Sequence, residues 1–382
     1  MAAPEPDFSA LANPGVRGLA PYEPGKPMEA LRREYGVDEV IKLASNENPL
    51  GPSPRAEEAA AAAVRDSHRY PDGGGLELRS AVAERHGVAP EQVTLGNGSN
   101  DVLVLLAQAF LGPGRTAVLS AHAFAVYPIA TQAVGAAARV VPARPAEAEQ
   151  PYGHDLEAML AAAAEDETVR VVFVANPNNP TGTWLTEGEL RGFLDRLPAR
   201  VIAVVDEAYF EYAAAEPDYP DASRWLDAYP NLVVTRSLSK AHGLAGLRVG
   251  YGLSHPSVAE LLGRVRQPFN CSAPAQAAAV ASLADTEHLE RSAALNGEQR
   301  EALRRGLVGL GLEPLPSVGN FLTFDAGPRA GAIHEGLLRS GIIVRPVDAY
   351  DLPNHLRVSV GTPEENQALL AALSRQVQEA SA

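Results

Sequence analysis

Short runs of consecutive apolar residues alternate along much of the chain with longer segments whose apolar positions recur every three or four residues. The runs Val93–Leu95, Ala117–Leu119, Val140-Val141, Val171–Val174, Ile202–Val205 and Leu232–Val234 are too short for helices and rich in valine, and they predict buried strands. Between them Leu103–Phe110, Leu156–Ala164 and Leu190–Leu197 keep a helical period. Strand, helix, strand in repetition predicts an α/β fold with a mostly parallel central sheet covered on both faces. From about residue 286 the order changes. A long polar helix runs through Arg304, followed by a strand at Asn320–Phe324, a helix at Ala332–Arg339, strands at Ile342–Arg345 and Leu356–Val360, and a last helix. That is the order of a smaller α+β unit.

The expected organisation is therefore an N-terminal arm at 1–40, a large domain at 41–285 and a small C-terminal domain at 286–382, with 41–55 free to pack on the small one. The arm is rich in proline and glycine, as in Pro21-Tyr22-Glu23-Pro24-Gly25-Lys26-Pro27, and reads as extended. Ala59–Ala63 reads as helix.

Charge and composition narrow the function. A net charge of −15 opposes binding to nucleic acid and to anionic membrane surfaces, so an anionic ligand needs a local arginine cluster. The single cysteine, Cys271, excludes an internal disulfide framework and a multi-cysteine metal site, and it reads as a small core residue. No signal-like N-terminus and no apolar stretch of membrane-spanning length is visible, which predicts a soluble cytoplasmic protein. The nine histidines form no HExxH-like pair, His334-Glu335 being followed by Gly336, and no metal is expected. His242, two residues past Lys240, reads as structural. The only lysines are Lys26, Lys42 and Lys240, which leaves few candidates for amine chemistry.

Five constellations carry chemistry. Ser237-Leu238-Ser239-Lys240, with Arg248 eight residues on, follows the run Leu232–Val234, so a scarce amine sits among hydroxyls and a cation at a strand end. A lysine beside cations and partly desolvated has a depressed pKa and forms imines with aldehydes. Val204-Val205-Asp206-Glu207-Ala208-Tyr209 ends a buried run in a carboxylate, which either caps the next segment or pairs with a pyridinium nitrogen while Tyr209 reaches the ring oxygen. Asn176-Pro177-Asn178-Asn179-Pro180-Thr181-Gly182 is turn chemistry, rigid enough to aim an amide at a ligand. Gly96-Asn97-Gly98-Ser99-Asn100-Asp101 opens a helix with free N–H groups, a phosphate cradle that lacks the Gly-Lys-Ser/Thr of a Walker motif. Arg345 and Arg357, on the two late strands, are expected to face one cleft as forks for carboxylate or phosphate.

Together these residues resemble the fold-type I aminotransferases, and more narrowly the histidinol-phosphate aminotransferase family. The matching segments are 42–51 (KLASNENPLG), Arg69-Tyr70-Pro71-Asp72, Asn178–Gly182, Asp206–Tyr209, Ser239-Lys240 with 246–250 (GLRVG), and 356–361 (LRVSVG), in order along nearly the whole chain. The resemblance implies a fold-type I pyridoxal-phosphate transferase, with Lys240 carrying pyridoxal 5'-phosphate as a Schiff base. It implies that Asp206 holds the ring nitrogen, Tyr209 and Asn179 the ring oxygen, and that Phe124 stacks on the ring where many relatives have tyrosine. The cofactor phosphate falls to the amides of Ser99 and Asn100, to Ser237, Ser239 and Arg248, and to Tyr70 from the partner of a homodimer. Substrate anions fall to Arg357 for a carboxylate and to Arg345, with Tyr22 and Tyr70, for a distal anion. The implied reaction is transamination between L-histidinol phosphate with 2-oxoglutarate and imidazole-acetol phosphate with L-glutamate, run towards histidinol phosphate in histidine biosynthesis.

Ser237-x-x-Lys240 has the spacing of Ser-Lys hydrolases, but no Ser-Asp-Asn or Lys-Thr-Gly segment accompanies it. A non-enzymatic regulator needs a DNA-binding segment that no basic stretch supplies. An aromatic amino acid aminotransferase and a phosphothreonine decarboxylase on the same scaffold stay open, because distal anions and aromatic rings can share one pocket and Arg345 and Tyr22 decide little between them.

Overall fold

A computed structural model describes residues 6–379. Its central sheet has seven strands: β2 (Val93–Gly96), β3 (Thr116–Ser120), β4 (Ala137–Val141), β5 (Val169–Ala175), β6 (Ile202–Asp206), β7 (Leu232–Ser237) and β8 (Gly250–Ser254), in the spatial order β2-β8-β7-β6-β5-β3-β4. A two-residue strand, β1 (Ile41–Lys42), precedes them in the chain. β8 alone runs against its neighbours. The rest are parallel, as the apolar runs predict, and β3, β5 and β7 are buried along nearly their whole length.

β8 is the strand that the apolar runs do not announce. Its sequence, Gly-Tyr-Gly-Leu-Ser, alternates glycine with larger residues because the helix Ser99–Phe110 lies directly on it. A Cβ on Gly250 would sit 2.4 Å from the Ser99 nitrogen, and one on Gly252 would sit 2.8 Å from Val102 Cγ1. The absence of two side chains thus lets the helix start meet the carboxyl ends of the parallel strands, where open α/β sheets bind ligands.

A second hydrophobic core forms around Leu303, Leu307, Leu322, Phe324, Ile333, Leu356 and Leu369. Its antiparallel sheet, in the order β11-β12-β9, uses β9 (Phe321–Asp325), β11 (Arg345–Pro346) and β12 (His355–Ser359). The single strand expected at 342–345 is two: β10 (Ile342–Ile343) pairs in parallel with β1, whereas β11 turns to pair with β12. Leu43 joins this second core, so the chain just after the arm packs with the C-terminal elements. The long polar helix continues beyond Arg304, over Thr286–Gly309.

The arm is less extended than its proline content predicts. Short helices occupy Phe8–Leu11 and Pro14–Arg17, and Met28–Tyr35 forms two turns that bury Leu31 and end on Gly36 at φ +65°. Leu31 packs on Ala44, Leu338 and Ile343, so tertiary burial rather than propensity fixes that helix. Among the described residues of the arm, the longest stretch without helix lies between Gly18 and Pro27, and its Tyr22 and Gly25 line the site described next. Among the described residues no helix is long and apolar enough to cross a membrane, and no group of His, Cys, Asp and Glu could hold a metal ion.

Candidate active site

A cavity of ≈ 470 Å³ lies over the carboxyl ends of β5, β6 and β7 and extends to the C-terminal sheet. Thirteen of the fourteen residues singled out in the sequence line it, and Tyr70 does not. Tyr70 is 82 % exposed and stacks on Phe269, with ring centroids 4.7 Å apart.

The Lys240 amine stands just beyond β7, donating to the Ser45 carbonyl at 3.3 Å and lying 5.5 Å from the Tyr209 ring centre. Burial lowers its pKa to about 8, and the Arg357 and Arg248 charges add to that fall, while Glu47 and Asp206 oppose it. A lysine in this state holds far more free amine near neutrality than an ordinary lysine and can act as nucleophile or base. Ser237 is not its partner: the Ser237 hydroxyl accepts from the Ser239 amide at 3.2 Å, so the Ser-Lys spacing forms no nucleophile–base pair.

Asp206 ends β6 and is 5 % exposed. Its Oδ1 accepts from the Thr235 hydroxyl and its Oδ2 from the Tyr127 hydroxyl, both at 2.8 Å. Burial raises its pKa, and the two hydroxyls pull it back. Tyr127 and Thr235 carry no signal in the one-dimensional reading, because each is one polar residue in an apolar segment whose partner lies on another element. The Ala208 backbone amide also donates to Asp206 and lowers its pKa, so the carboxylate touches the start of the next segment as well as the two hydroxyls.

The opposite end of the cavity is an anion cradle. Gly98, at φ +83°, precedes the helix Ser99–Phe110, and the amides of Ser99 and Asn100 have no acceptor among the described residues. A Cβ on Gly98 would lie 2.4 Å from Arg248 Nη2, so glycine there lets the guanidinium close on the helix start. Arg248 donates to the Ser239 hydroxyl at 3.2 Å, and the Ser237 and Ser239 side chains face the same space. Free amides at a helix start, two hydroxyls and a guanidinium are the donor set of a phosphate site.

Tyr209 is buried, accepts from the Asn46 amide at 2.9 Å and has its hydroxyl pushed up by burial to about 12. Phe124 lines the cavity wall and meets the Tyr127 ring edge-on at 5.8 Å. Arg357 donates to Asn179 Oδ1 and, at 2.8 Å, to the Ala44 carbonyl, while its buried Nε has no partner. Burial lowers its pKa. Arg345 donates to the Glu23 carbonyl at 2.7 Å, and its guanidinium lies 5.7 Å from the Tyr22 ring centre, which ties the arm to the site.

Behind the site a buried pair escaped the sequence reading. Arg236 on β7 meets Glu207 at 2.6 Å and Asp221 at 2.8 Å, joining the residues next to Asp206 and Ser237. His242 bonds Ser282 at 2.8 Å, in keeping with the structural reading. Cys271 is buried, and burial pushes its thiol up to about 11, which leaves it inert.

The family model for aminotransferase class I and II matches residues 38–373. A histidinol-phosphate aminotransferase of Methylococcus capsulatus is 55% identical over 368 residues, covering 96% of this chain and 98% of its own. The chain belongs to the histidinol-phosphate aminotransferase family. A second such relative, from Pseudomonas aeruginosa, is 55% identical over 97% of this chain and 98% of its own. Among solved structures, the family member from Sinorhizobium meliloti, in complex with pyridoxal-5'-phosphate, superposes with a TM-score of 0.87 at 30% identity, covering 97% of this chain and 98% of that one. An aspartate aminotransferase mutant of Thermus thermophilus, at 24% identity and a TM-score of 0.81 over 96% of this chain and 99% of that one, shares the fold. Family membership disposes of the hydrolase alternative, in keeping with a Ser237 hydroxyl that is engaged by the Ser239 amide and not by Lys240.

Proposed function

We propose that the chain transfers the amino group between L-histidinol phosphate and 2-oxoglutarate, using pyridoxal 5'-phosphate held by Lys240. The carrying observation is that one cavity joins a lysine of depressed pKa, a buried carboxylate and a phosphate cradle, in a chain more than half identical to histidinol-phosphate aminotransferases. The donor set fits the cofactor: the Ser99 and Asn100 amides, Ser237, Ser239 and Arg248 suit its phosphate, Asp206 its ring nitrogen, Tyr209 and Asn179 its ring oxygen, and Phe124 its face. When bound, the cofactor supplies an aldehyde that takes up amino groups and a ring that draws off negative charge from the reacting carbon.

The chain's own residues supply the rest. Lys240 would hold the cofactor through its aldehyde and, as a free amine, would take the proton from the substrate Cα as general base. Asp206 keeps the ring nitrogen protonated. Arg357 binds the α-carboxylate of glutamate, and Arg345 with Tyr22 takes the distal anion, whether carboxylate or phosphate. Arg345 thus serves both substrates in turn while Arg357 meets the carboxylate that glutamate brings and histidinol phosphate lacks, a division supported by both residues lining one cavity.

The active form in this reading is a cytoplasmic homodimer in which Tyr70 of each chain completes the other chain's phosphate site. The exposure of Tyr70 in the single chain supports it. The large and small domains divide near residue 286.

The test is direct. Purified protein should show the near-ultraviolet or visible band of a lysine-bound cofactor, lose it on borohydride reduction with label fixed on Lys240, and bleach when histidinol phosphate is added. A protein without the band refutes the cofactor, and faster turnover of phenylalanine or tyrosine than of histidinol phosphate refutes the substrate.

A further inference from the structure

We infer that Tyr127, together with Thr235, is a positioning residue that holds Asp206 ionised and oriented for the ring nitrogen. This deepens the proposed function and rests on its reading of Asp206. Both carboxylate oxygens of Asp206 are occupied by hydroxyl donors at 2.8 Å, Thr235 from the neighbouring strand on Oδ1 and Tyr127 from the helix Val126–Ala133 on Oδ2. One donor would leave the carboxylate free to rotate. Two hydroxyl donors from separate elements, with the Ala208 backbone amide beside them, fix its plane and leave acceptor capacity for one ligand.

Burial argues the same way. An isolated carboxylate this far from water would take up a proton, and these hydroxyls oppose that. A neutral Asp206 would leave the shared proton on oxygen rather than on the ring, and the ring would then withdraw charge less well.

Tyr127 is fully buried and would pass for a core residue were the hydroxyl not aimed at Asp206. Its ring lies parallel to Phe173 at 4.9 Å and edge-on to Phe124 at 5.8 Å. The same side chain therefore braces the carboxylate at the ring nitrogen and the phenyl group at the ring face. A hydroxyl is not needed for either ring contact, so Tyr127→Phe separates the packing from the electrostatics.

The experiment loads the full-length protein with pyridoxal phosphate labelled with ¹⁵N in the ring, and compares wild type, Tyr127→Phe, Thr235→Val and Thr235→Ser. In the first two variants the ring nitrogen resonance should move toward its unprotonated position. Loss of one charge-assisted bond should lower kcat about tenfold while KM for glutamate stays within about twofold. Thr235→Ser, which restores a hydroxyl, should return both readouts toward wild type. The thermal midpoint of the cofactor-free chain should change little in Tyr127→Phe. A wild-type resonance in both variants, or an activity loss that tracks a fall in that midpoint, overturns the inference. If Tyr127→Phe does not fold, Thr235→Val and Thr235→Ser decide alone. Wild-type protein that takes up no cofactor overturns the proposed function and this inference together, whereas an unshifted resonance in loaded variants overturns this inference only.

Discussion

Arg345 and Arg357 are directly opposite each other in the β11–β12 pair, so their side chains leave the sheet on the same face. Like charges in that relation repel across the strands, and an anion between or beside them relieves the repulsion. The Arg357 Nε is buried and finds no partner among the described residues.

Replacing either arginine should therefore show up in substrate binding more than in folding. Arg357→Ala is expected to lower kcat/KM for glutamate by about 3 kcal/mol of transition-state stabilisation, because a desolvated charge pair is lost. Arg345→Ala should act mainly on KM, for glutamate and histidinol phosphate alike. Steady-state kinetics with both donors checks this, and an unchanged KM for both in Arg345→Ala would contradict the assignment.

The depressed pKa of Lys240 sets a pH dependence. Its amine is unprotonated above about 8, so capture of pyridoxal phosphate by the cofactor-free protein should speed up as pH rises through about 8 and slow as pH falls through it. After burial, Arg357 is the main cause of the shift, and Arg357→Met should move the midpoint upward toward that of a free lysine. Stopped-flow absorbance against pH measures both midpoints.

Gly98→Ala tests the phosphate cradle. The residue sits at φ +83°, and its new methyl would meet Arg248 Nη2 at 2.4 Å, so both the backbone and the guanidinium must shift. Cofactor affinity, read by titrating the stripped protein, should weaken by about tenfold or more, since a charge-assisted bond to phosphate contributes about 1.5–3 kcal/mol. The fold should persist, because the helix Ser99–Phe110 keeps Val102, Leu103 and Leu106 in the core.

Arg236→Met is the corresponding stability test. Removing the cation leaves Glu207 wholly buried with no counter-charge, which should cost about 3–5 kcal/mol in denaturant unfolding. The double variant Arg236→Met with Glu207→Gln should recover part of it.

Hybrid dimers test the shared site. Neither Tyr70→Ala nor Lys240→Ala should be fully active alone, but co-expressed they should assemble hybrids in which one of the two sites carries both wild-type residues. Activity no greater than that of the Tyr70→Ala homodimer would place Tyr70 outside the site.

Much of the molecule follows from the linear order of its side chains. Parallel strands appear as valine runs because a strand buried on both faces has no polar side to betray it. Lys240 stood out because amines are scarce in this chain, and Asp206 because it ends such a run. What the sequence could not contain was the meeting of residues far apart in it. β8 stayed hidden because its glycines answer the helix packed upon it, Tyr127 because its hydroxyl has a partner 79 residues away, and the Met28–Tyr35 helix because Leu31 gains its burial from the other end of the chain. One-dimensional periodicity records which face of an element is apolar. Only the tertiary structure decides how deeply a polar group is buried and which charges and donors it meets there, and these set the ionisation of the lysine and the aspartate.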